Sequence, residues 1–291
     1  MNFVITGSLG NIGRPLTKDL VEKGHAVTVI SSNPEKKNEI ESMGAAAAIG
    51  SLDDADFLAS TLTGADGLFA MVPPDYTTGD SRGRYRKIGD SYAAAVKKSG
   101  INRVVQLSSI GADLDAGTGF ILGSHDVEGI LGAIPNIELT TLRPAYFYSN
   151  LFNFAGMIKA ADMIGANYGG GDLMIMVHPR DIAAVVAEEL GKPTGGGIRY
   201  IASDERSCDE IAKVLGEAIG KPDLKWVTFT DEQTQTGMEE NGFSEHIAAN
   251  FTELGASVHS GIIRKDYDLH KPETMGMVKL EDFAKEFAAA F

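Results

Sequence analysis

The chain has 291 residues and carries 26 Lys and Arg against 40 Asp and Glu, a formal net charge of −14. An acidic excess of that size excludes binding to nucleic acid or to an anionic membrane through bulk charge, because both need clustered positive charge. The single cysteine, Cys208, excludes an intramolecular disulfide and a cysteine-rich zinc site. There is no basic leader with an apolar stretch behind it, and no apolar run approaching about 18 residues. The expectation is a cytoplasmic protein with no nucleic-acid partner and no membrane partner. No set of His, Asp and Glu has metal-ligand spacing, so no metal is expected.

Residues 2–6 read as a strand and 12–23 as a helix, with Ile12, Leu16, Leu20 and Val21 on one stripe and Gly24 as the stop. A second strand spans 26–30. A helix over 35–43 ends at Gly44, a third strand covers 45–49, and a helix over 53–62 has acids in its first turn. A fourth strand at 67–72 stops at Pro73 and Pro74. A long helix covers about 84–99, and a fifth strand covers 103–107. From 111 to 123 the glycines read as a loop, followed by a helix over 125–131, a sixth strand over 138–142 and a helix over 149–161. Residues 167–172 read as a turn, and 174–177 and 197–202 as strands around a helix at 179–190. Ser207 then caps a helix over 209–219, a strand follows at 226–229, and the remainder reads as mostly helical. Strands alternating with helices of this length make βαβ units, hence a parallel sheet covered on both faces.

Gly7-Ser8-Leu9-Gly10-Asn11-Ile12-Gly13 spells GxxGxxG between the first strand and the first helix. Gly7 permits the tight turn. Gly10 lets backbone N–H groups approach a pyrophosphate, and Gly13 lets the helix pack closely on the strand. The fold class is therefore α/β: a Rossmann-type doubly wound parallel sheet with a smaller, mostly helical C-terminal lobe. Residues 1–150 are expected to form the dinucleotide-binding domain, which also receives elements from about 174–202. Residues 151–291 form the substrate-binding lobe, not cleanly separable from it. At the end of the second strand stand Ser31, Ser32 and Asn33, with Lys36 and Lys37 behind them and no carboxylate. Hydroxyls, an amide and ammonium groups suit a ribose 2′-phosphate. NADP(H) is therefore favoured over NAD(H), with Lys37 among the contacts. Capping of the next helix would use the same serines.

The chain resembles the NmrA-like atypical short-chain dehydrogenases, and within them bacterial members akin to NAD(P)H:quinone oxidoreductases and azoreductases. The resemblance rests on Val4-Ile5-Thr6-Gly7 with the glycine motif, on Asn33-Pro34-Glu35-Lys36, and on Met71-Val72-Pro73-Pro74. It continues through the run from Val105 to Ala112, Thr141-Leu142-Arg143-Pro144, Asn150-Leu151, Asp181-Ile182-Ala183 and the late stretch 275–287. Ser32 stands where such quinone reductases usually carry arginine. Ser51 stands where the third strand is often followed by an acid that touches adenine. Most short-chain dehydrogenases place Tyr-x-x-x-Lys on the helix after the fifth strand, the lysine lowering the tyrosine pKa for proton transfer. Ile121 and His125 occupy those positions here. The one Tyr-x-x-x-Lys, from Tyr267 to Lys271, lies far downstream and reads as chance.

Ligands of doubly wound sheets lie beyond the carboxyl ends of the strands. Beside the cofactor this puts Leu9, Asn11 and Ile12 of the loop, Met71, Val72 and Pro73 after the fourth strand, Ser108 after the fifth, and Tyr146 and Phe147 after the sixth. Ser109, Tyr148 and Asn150 fall in the substrate pocket. Flat aromatics there suit an aromatic or quinone-like small molecule by stacking. The resemblance implies Ser108 as a proton relay. His125 is the other candidate catalytic residue, donating a proton near neutral pH or holding the ribose. The implied function is NADP(H)-dependent hydride transfer to a quinone-like or other conjugated acceptor that needs no enzyme acid. The alternative is a non-catalytic dinucleotide sensor that binds a regulatory protein. A homodimer is left open.

Overall fold

A computed structural model describes residues 1–291. Its first half alternates strictly: β1 (Asn2–Ile5), α1 (Gly13–Glu22), β2 (Ala26–Ser31), α2 (Lys37–Ser42), β3 (Ala46–Ile49), α3 (Ala55–Leu62), β4 (Gly67–Ala70), α4 (Ser81–Ser99), β5 (Arg103–Leu107), α5 (Ile121–Gly132) and β6 (Glu138–Pro144). Then come β7 (Tyr146–Phe147), α6 (Ala155–Ala161), β8 (Met163–Ala166), β9 (Leu173–Val177), α7 (Pro179–Gly191), β10 (Gly197–Ile201), β11 (Asp204–Ser207) and α8 (Cys208–Ala218). The chain ends with β12 (Lys225–Thr228), α9 (Asp231–Glu240), α10 (Glu245–His259), α11 (Lys265–Leu269) and α12 (Leu280–Ala290).

Seven strands form one sheet in the order β10-β6-β5-β4-β1-β2-β3. Every neighbouring pair in it is parallel. The chain runs outward from β1 to β3, then returns to β4 on the other side of β1, which makes the switch point where such sheets bind ligands. Leu16 and Leu20 of α1 and Ile182, Val186 and Leu190 of α7 pack with Ile5 and Val29 in one apolar cluster. Leu58 and Leu62 of α3, Ile88, Tyr92 and Val96 of α4, and Val127 and Leu131 of α5 pack with Val4, Leu68 and Val104 in a second. Both faces are therefore covered, as an all-parallel sheet requires. A third cluster, around Ile164, Ile211, Trp226, Phe283 and Phe287, is the core of the C-terminal lobe. That lobe carries two small sheets, β11-β9-β7 and β12-β8. No helix is long and apolar enough to cross a membrane.

The departures from the sequence pattern have local causes. Helix α5 starts at Ile121, inside the stretch whose glycines suggested a loop. Gly123 is a packing residue: a Cβ there would lie 2.6 Å from the Tyr85 ring. Strand β6 runs on through Arg143 and Pro144. A proline is tolerated at that last position because no donor is needed, and its carbonyl accepts from the Ile110 N–H at 2.9 Å. Residues Tyr148–Phe154 wind as a 3-10 helix before α6. The sequence pattern marks neither β8 nor β11. Asp204-Glu205-Arg206-Ser207 is charged and half-buried, an edge strand held by antiparallel pairing with β9.

Candidate active site

At the carboxyl end of β1, Gly7 takes φ +89° and Ser8 +55°. A Cβ on Gly7 would fall 2.1 Å from Met71 Sδ, and one on Gly13 would fall 2.0 Å from the Ser8 carbonyl oxygen. Gly13 thus allows the helix to approach the loop's own backbone, not the strand as the motif suggested. Gly10 is exposed, and an added Cβ would meet only the Gly7 carbonyl oxygen, at 3.3 Å. Nothing inside the chain demands a glycine there; an incoming group would. Helix α1 has no side-chain cap, and the N–H groups of Asn11, Ile12 and Gly13 donate to no acceptor in the chain. Unpaired N–H groups at the positive end of a helix dipole are what a diphosphate requires. The residues present therefore fit a dinucleotide. Leu9 and Ile12 are buried in the first apolar cluster and hold the loop from below. Exposed Asn11 reaches Ser149 Oγ at 3.5 Å.

At the end of β2 the buried Ser31 hydroxyl accepts from the Ser8 hydroxyl (3.0 Å) and from the Asn33 N–H (3.2 Å). The cap of the following turn is Asn33, not a serine: its Oδ1 accepts from the Glu35 N–H at 2.9 Å. Ser32 is exposed. Lys37 leans along its own helix toward Glu41, 3.9 Å away. The cations that gather here are Arg14, 2.5 Å from Glu39, and Lys36, 2.9 Å from the same carboxylate. Arg14 and then Lys36 hold the Glu39 carboxyl below its ordinary range. Arg14 was not among the residues read from the sequence; its signal is its place directly after Gly13, in the first turn of α1. Ser51 is exposed, and its hydroxyl accepts from the Asp53 N–H at 3.1 Å.

Past β4, the Met71 N–H donates to Thr6 Oγ1 (2.9 Å) and its carbonyl accepts from the Tyr92 hydroxyl (2.7 Å). Val72 is buried and Pro73 half-buried. Past β5, buried Ser108 donates to Glu128 Oε1 at 2.5 Å. Glu128 accepts from both arms of Arg143, Nε at 3.0 Å and a terminal nitrogen at 2.7 Å. The other Arg143 nitrogen reaches the Tyr200 hydroxyl (3.1 Å) and Asp266 (3.0 Å). Burial works against the Arg143 charge, and the Glu128 carboxylate and the Tyr200 hydroxyl together more than offset it, so its pKa is raised. The Ser108 hydroxyl is therefore the end of an ionic chain joining β5, α5, β6, β10 and α11, not a free relay. The sequence pattern gives no role to Glu128 or to Arg143, although Arg143 stands in one of the motifs that carry the resemblance. Their signals were a glutamate three residues past His125 on one helical face, and an arginine inside a strand before its terminal proline.

No hydrogen bond joins His125 to Ser108. His125 Nδ1 lies 2.9 Å from the Ala112 carbonyl oxygen. Its ring lines a surface hollow of about 350 Å³ with Arg86, Asp126, Gly129 and Ile130. Ile121 is buried at the position of the absent tyrosine. Tyr267 is also buried, and its hydroxyl donates to Glu205 at 3.0 Å, with Lys271 on the same carboxylate at 2.8 Å. Tyr146 and Phe147 are half-buried in β7. Tyr148 departs from the expected pocket. The 3-10 turn that begins with it sends the side chain into the lobe core, where it stacks on Phe283 at 5.3 Å. Half-buried Ser109 accepts at its carbonyl from the Ala112 N–H (3.2 Å), and Asn150 is exposed.

A parallel sheet of this order, with a glycine loop and an unpaired helix N-terminus at its switch point, defines a dinucleotide-binding protein of Rossmann type. The chain belongs to the NAD(P)H-binding family, whose pattern matches residues 7–193. It is similar to an NAD(P)H azoreductase of Xenophilus azovorans, 26% identical over 297 residues that cover 99% of each chain. An NADPH-dependent quinone oxidoreductase of Escherichia coli, solved with NADPH, shares the fold with a TM-score of 0.79 at 18% identity, covering 98% of this chain and 99% of that one. A triphenylmethane reductase of Citrobacter sp. does so with a TM-score of 0.81 at 18% identity over 100% of both chains.

Proposed function

We propose that this chain is an NADPH-dependent oxidoreductase that reduces flat, conjugated acceptors of the quinone and dye type. The observation that carries the reading is a dinucleotide cradle beside a site that lacks the short-chain dehydrogenase acid: Ser108 is engaged by Glu128, and Ile121 is buried where a tyrosine would stand. NADPH, when bound, supplies a hydride. The chain's part is to hold and orient it and to exclude water. Asn11, Ile12 and Gly13 offer their N–H groups to the diphosphate. Ser31, Ser32, Asn33, Arg14 and Lys36 surround the place of the 2′-phosphate, and release of the two cations from Glu39 gives the preference for NADP(H) over NAD(H). Met71, Val72, Pro73, Tyr146 and Phe147 shield the reacting face. Residues 1–150 with α7 and β10 hold the dinucleotide, and the rest of the lobe holds the acceptor.

A ketone needs a proton delivered to its developing alkoxide, and a site without an acid forgoes the ~10²–10⁴-fold that general acid catalysis contributes. A quinone yields a stabilised phenolate and takes its proton from water afterwards. The names of the similar proteins speak of azo, quinone and triphenylmethane reduction, chemistry that delivers electrons into conjugated systems. Steady-state NADPH oxidation checks the proposal: a rate well above background with 1,4-benzoquinone, and background with cyclohexanone. Tight NADPH binding with no oxidation by any quinone or azo dye would defeat it and leave a dinucleotide sensor.

A further inference from the structure

Five aromatic rings lie outside all three apolar clusters of the fold, and four of them, Tyr76, Phe120, Phe243 and Phe251, group together. Tyr76, between β4 and α4, meets Phe120, just before α5, edge to face at 5.1 Å between centroids. Phe120 meets Phe251 of α10 edge to face at 4.8 Å, and Tyr76 meets Phe251 at 5.3 Å. Phe243 stands 6.5 Å from Phe251. The backbones behind the rings touch. A Cβ on Gly119, at φ +56°, would fall 2.1 Å from the Asn250 carbonyl oxygen, so only glycine lets Phe120 and Phe251 come together.

The position of this cluster is informative. Tyr76 and Phe120 follow β4 and β5 at their carboxyl ends, the side on which such sheets take ligands. Phe251 comes from the lobe, so the rings bridge the lobe and the switch point. Tyr76 is 48% exposed and Phe243 45%. Half-exposed aromatics grouped outside every core, at the ligand edge of the sheet, are the mark of a binding site more than of packing.

We propose that Tyr76, Phe120 and Phe251 form the recognition site for the acceptor, an aromatic box that takes a flat conjugated ring system by stacking. The identity of the guest rests on the reductase reading above. In an edge-to-face pair one ring gives an edge and the other gives one face, which leaves that ring's second face for a guest. A ring bound there lies between the lobe and the strand ends that carry Met71 and Ser108.

The test reads binding, not turnover: calorimetric titration of the NADP⁺-saturated protein with 1,4-naphthoquinone. Quinone addition to a thiol does not intrude, because the only cysteine, Cys208, is buried. Tyr76→Ala and Phe251→Ala should each weaken naphthoquinone binding roughly three- to tenfold, with NADP⁺ affinity and melting temperature unchanged. Phe251→Tyr should bind as wild type does, and Phe251→Leu, which keeps apolar bulk without a ring face, should follow Phe251→Ala. Wild-type affinity in both alanine variants overturns the proposal. So does a loss of quinone binding that comes only with lowered melting temperature and weaker NADP⁺ binding, since the rings would then be packing. An inability of the wild type to oxidise NADPH defeats the reductase reading and leaves this titration able to decide on the box.

Discussion

Gly10 and Gly13 stand three residues apart and should fail in different ways. An added Cβ at Gly10 meets one atom, the Gly7 carbonyl oxygen at 3.3 Å, and the residue is exposed at a φ open to any side chain. Gly10→Val should therefore leave the ligand-free melting temperature near that of wild type. Its branched side chain stands over the loop, where the unpaired N–H groups of Asn11, Ile12 and Gly13 face their ligand. With NADPH at 100 times its Kd, the wild type should gain about 2.7 kcal/mol. At about 2–4 °C per kcal/mol for a chain somewhat smaller than this one, that is roughly 5–10 °C. Gly10→Val should show none of this gain. Gly13→Ala is different, because its Cβ would sit 2.0 Å from a backbone oxygen that has no rotamer to escape by. Loop or helix must shift, at a cost of about 1–3 kcal/mol, so the ligand-free protein should melt lower and respond less to NADPH. Thermal melts with and without cofactor read all of this. A Gly10→Val protein stabilised by NADPH as much as wild type would refute the assignment of the loop.

The other substitutions follow from ion pairs. Arg14→Ala should weaken NADPH by about 1 kcal/mol, a charge-assisted contact discounted for its exposure, and leave NADH unchanged; Glu39→Gln should tighten NADPH relative to NADH. Titrations that find equal changes for the two cofactors contradict the role given to Arg14. Asp126 is held to about 2 by Arg82 and then Arg86. Its folded pKa is depressed, so its stabilisation is present above about pH 4 and is lost as pH falls through 2. After screening this is about 1 kcal/mol, and Asp126→Asn should flatten the melting curve across that window; an unaltered slope speaks against the pairing. Tyr267→Phe removes a hydrogen bond to Glu205 and should cost about 1 kcal/mol with the quinone rate unchanged. A ketone reductase activity that vanishes in Tyr267→Phe would restore the downstream Tyr-x-x-x-Lys to the chemistry.

The sheet was legible because its signals are local. The strand 103–107 and the helix starting at Pro179 are marked by runs of apolar residues, stop signals and caps that act within a few residues of themselves. Gly123 shows where this ends. Its sequence neighbours suggest a loop, while the reason for glycine is the Tyr85 ring, a partner 38 positions away in the chain. Tyr148 is a similar case: next to Phe147, which packs on the sheet's cluster, it is turned by a 3-10 start into the lobe core. Lys36 and Lys37 were both visible as cations at the end of β2, but the helical turn separates them by about 100°. That turn gives Lys36 to Glu39 and Lys37 to Glu41. The aromatic group of Tyr76, Phe120 and Phe251 had no pattern at all, because each ring comes from a different element and only the fold assembles them.

The chain from Ser108 through Glu128 to Arg143 bears on why an acceptor without need of an acid suits this site. Carbonyl reduction needs a hydroxyl or other acid free to pass a proton to the substrate oxygen. Here the Ser108 hydroxyl is taken by Glu128, and Glu128 is committed twice over to Arg143, which is almost wholly buried, with a side chain 6% exposed. The far side of Arg143 holds Asp266 of α11, in the C-terminal lobe, and Tyr200 of β10, at the sheet's edge. Freeing Ser108 for proton transfer would take a hydrogen bond from the half-buried Glu128, and removing Arg143 would leave Glu128 and the half-buried Asp266 without the cation they share, a loss of about 3 kcal/mol. Ser108, Glu128 and Arg143 are thus fixed in holding the lobe against the sheet. In the site proposed above an acceptor meets a dinucleotide cradle on one side and ring faces on the other, and those two together would select for molecules that store an incoming electron pair in their own π system.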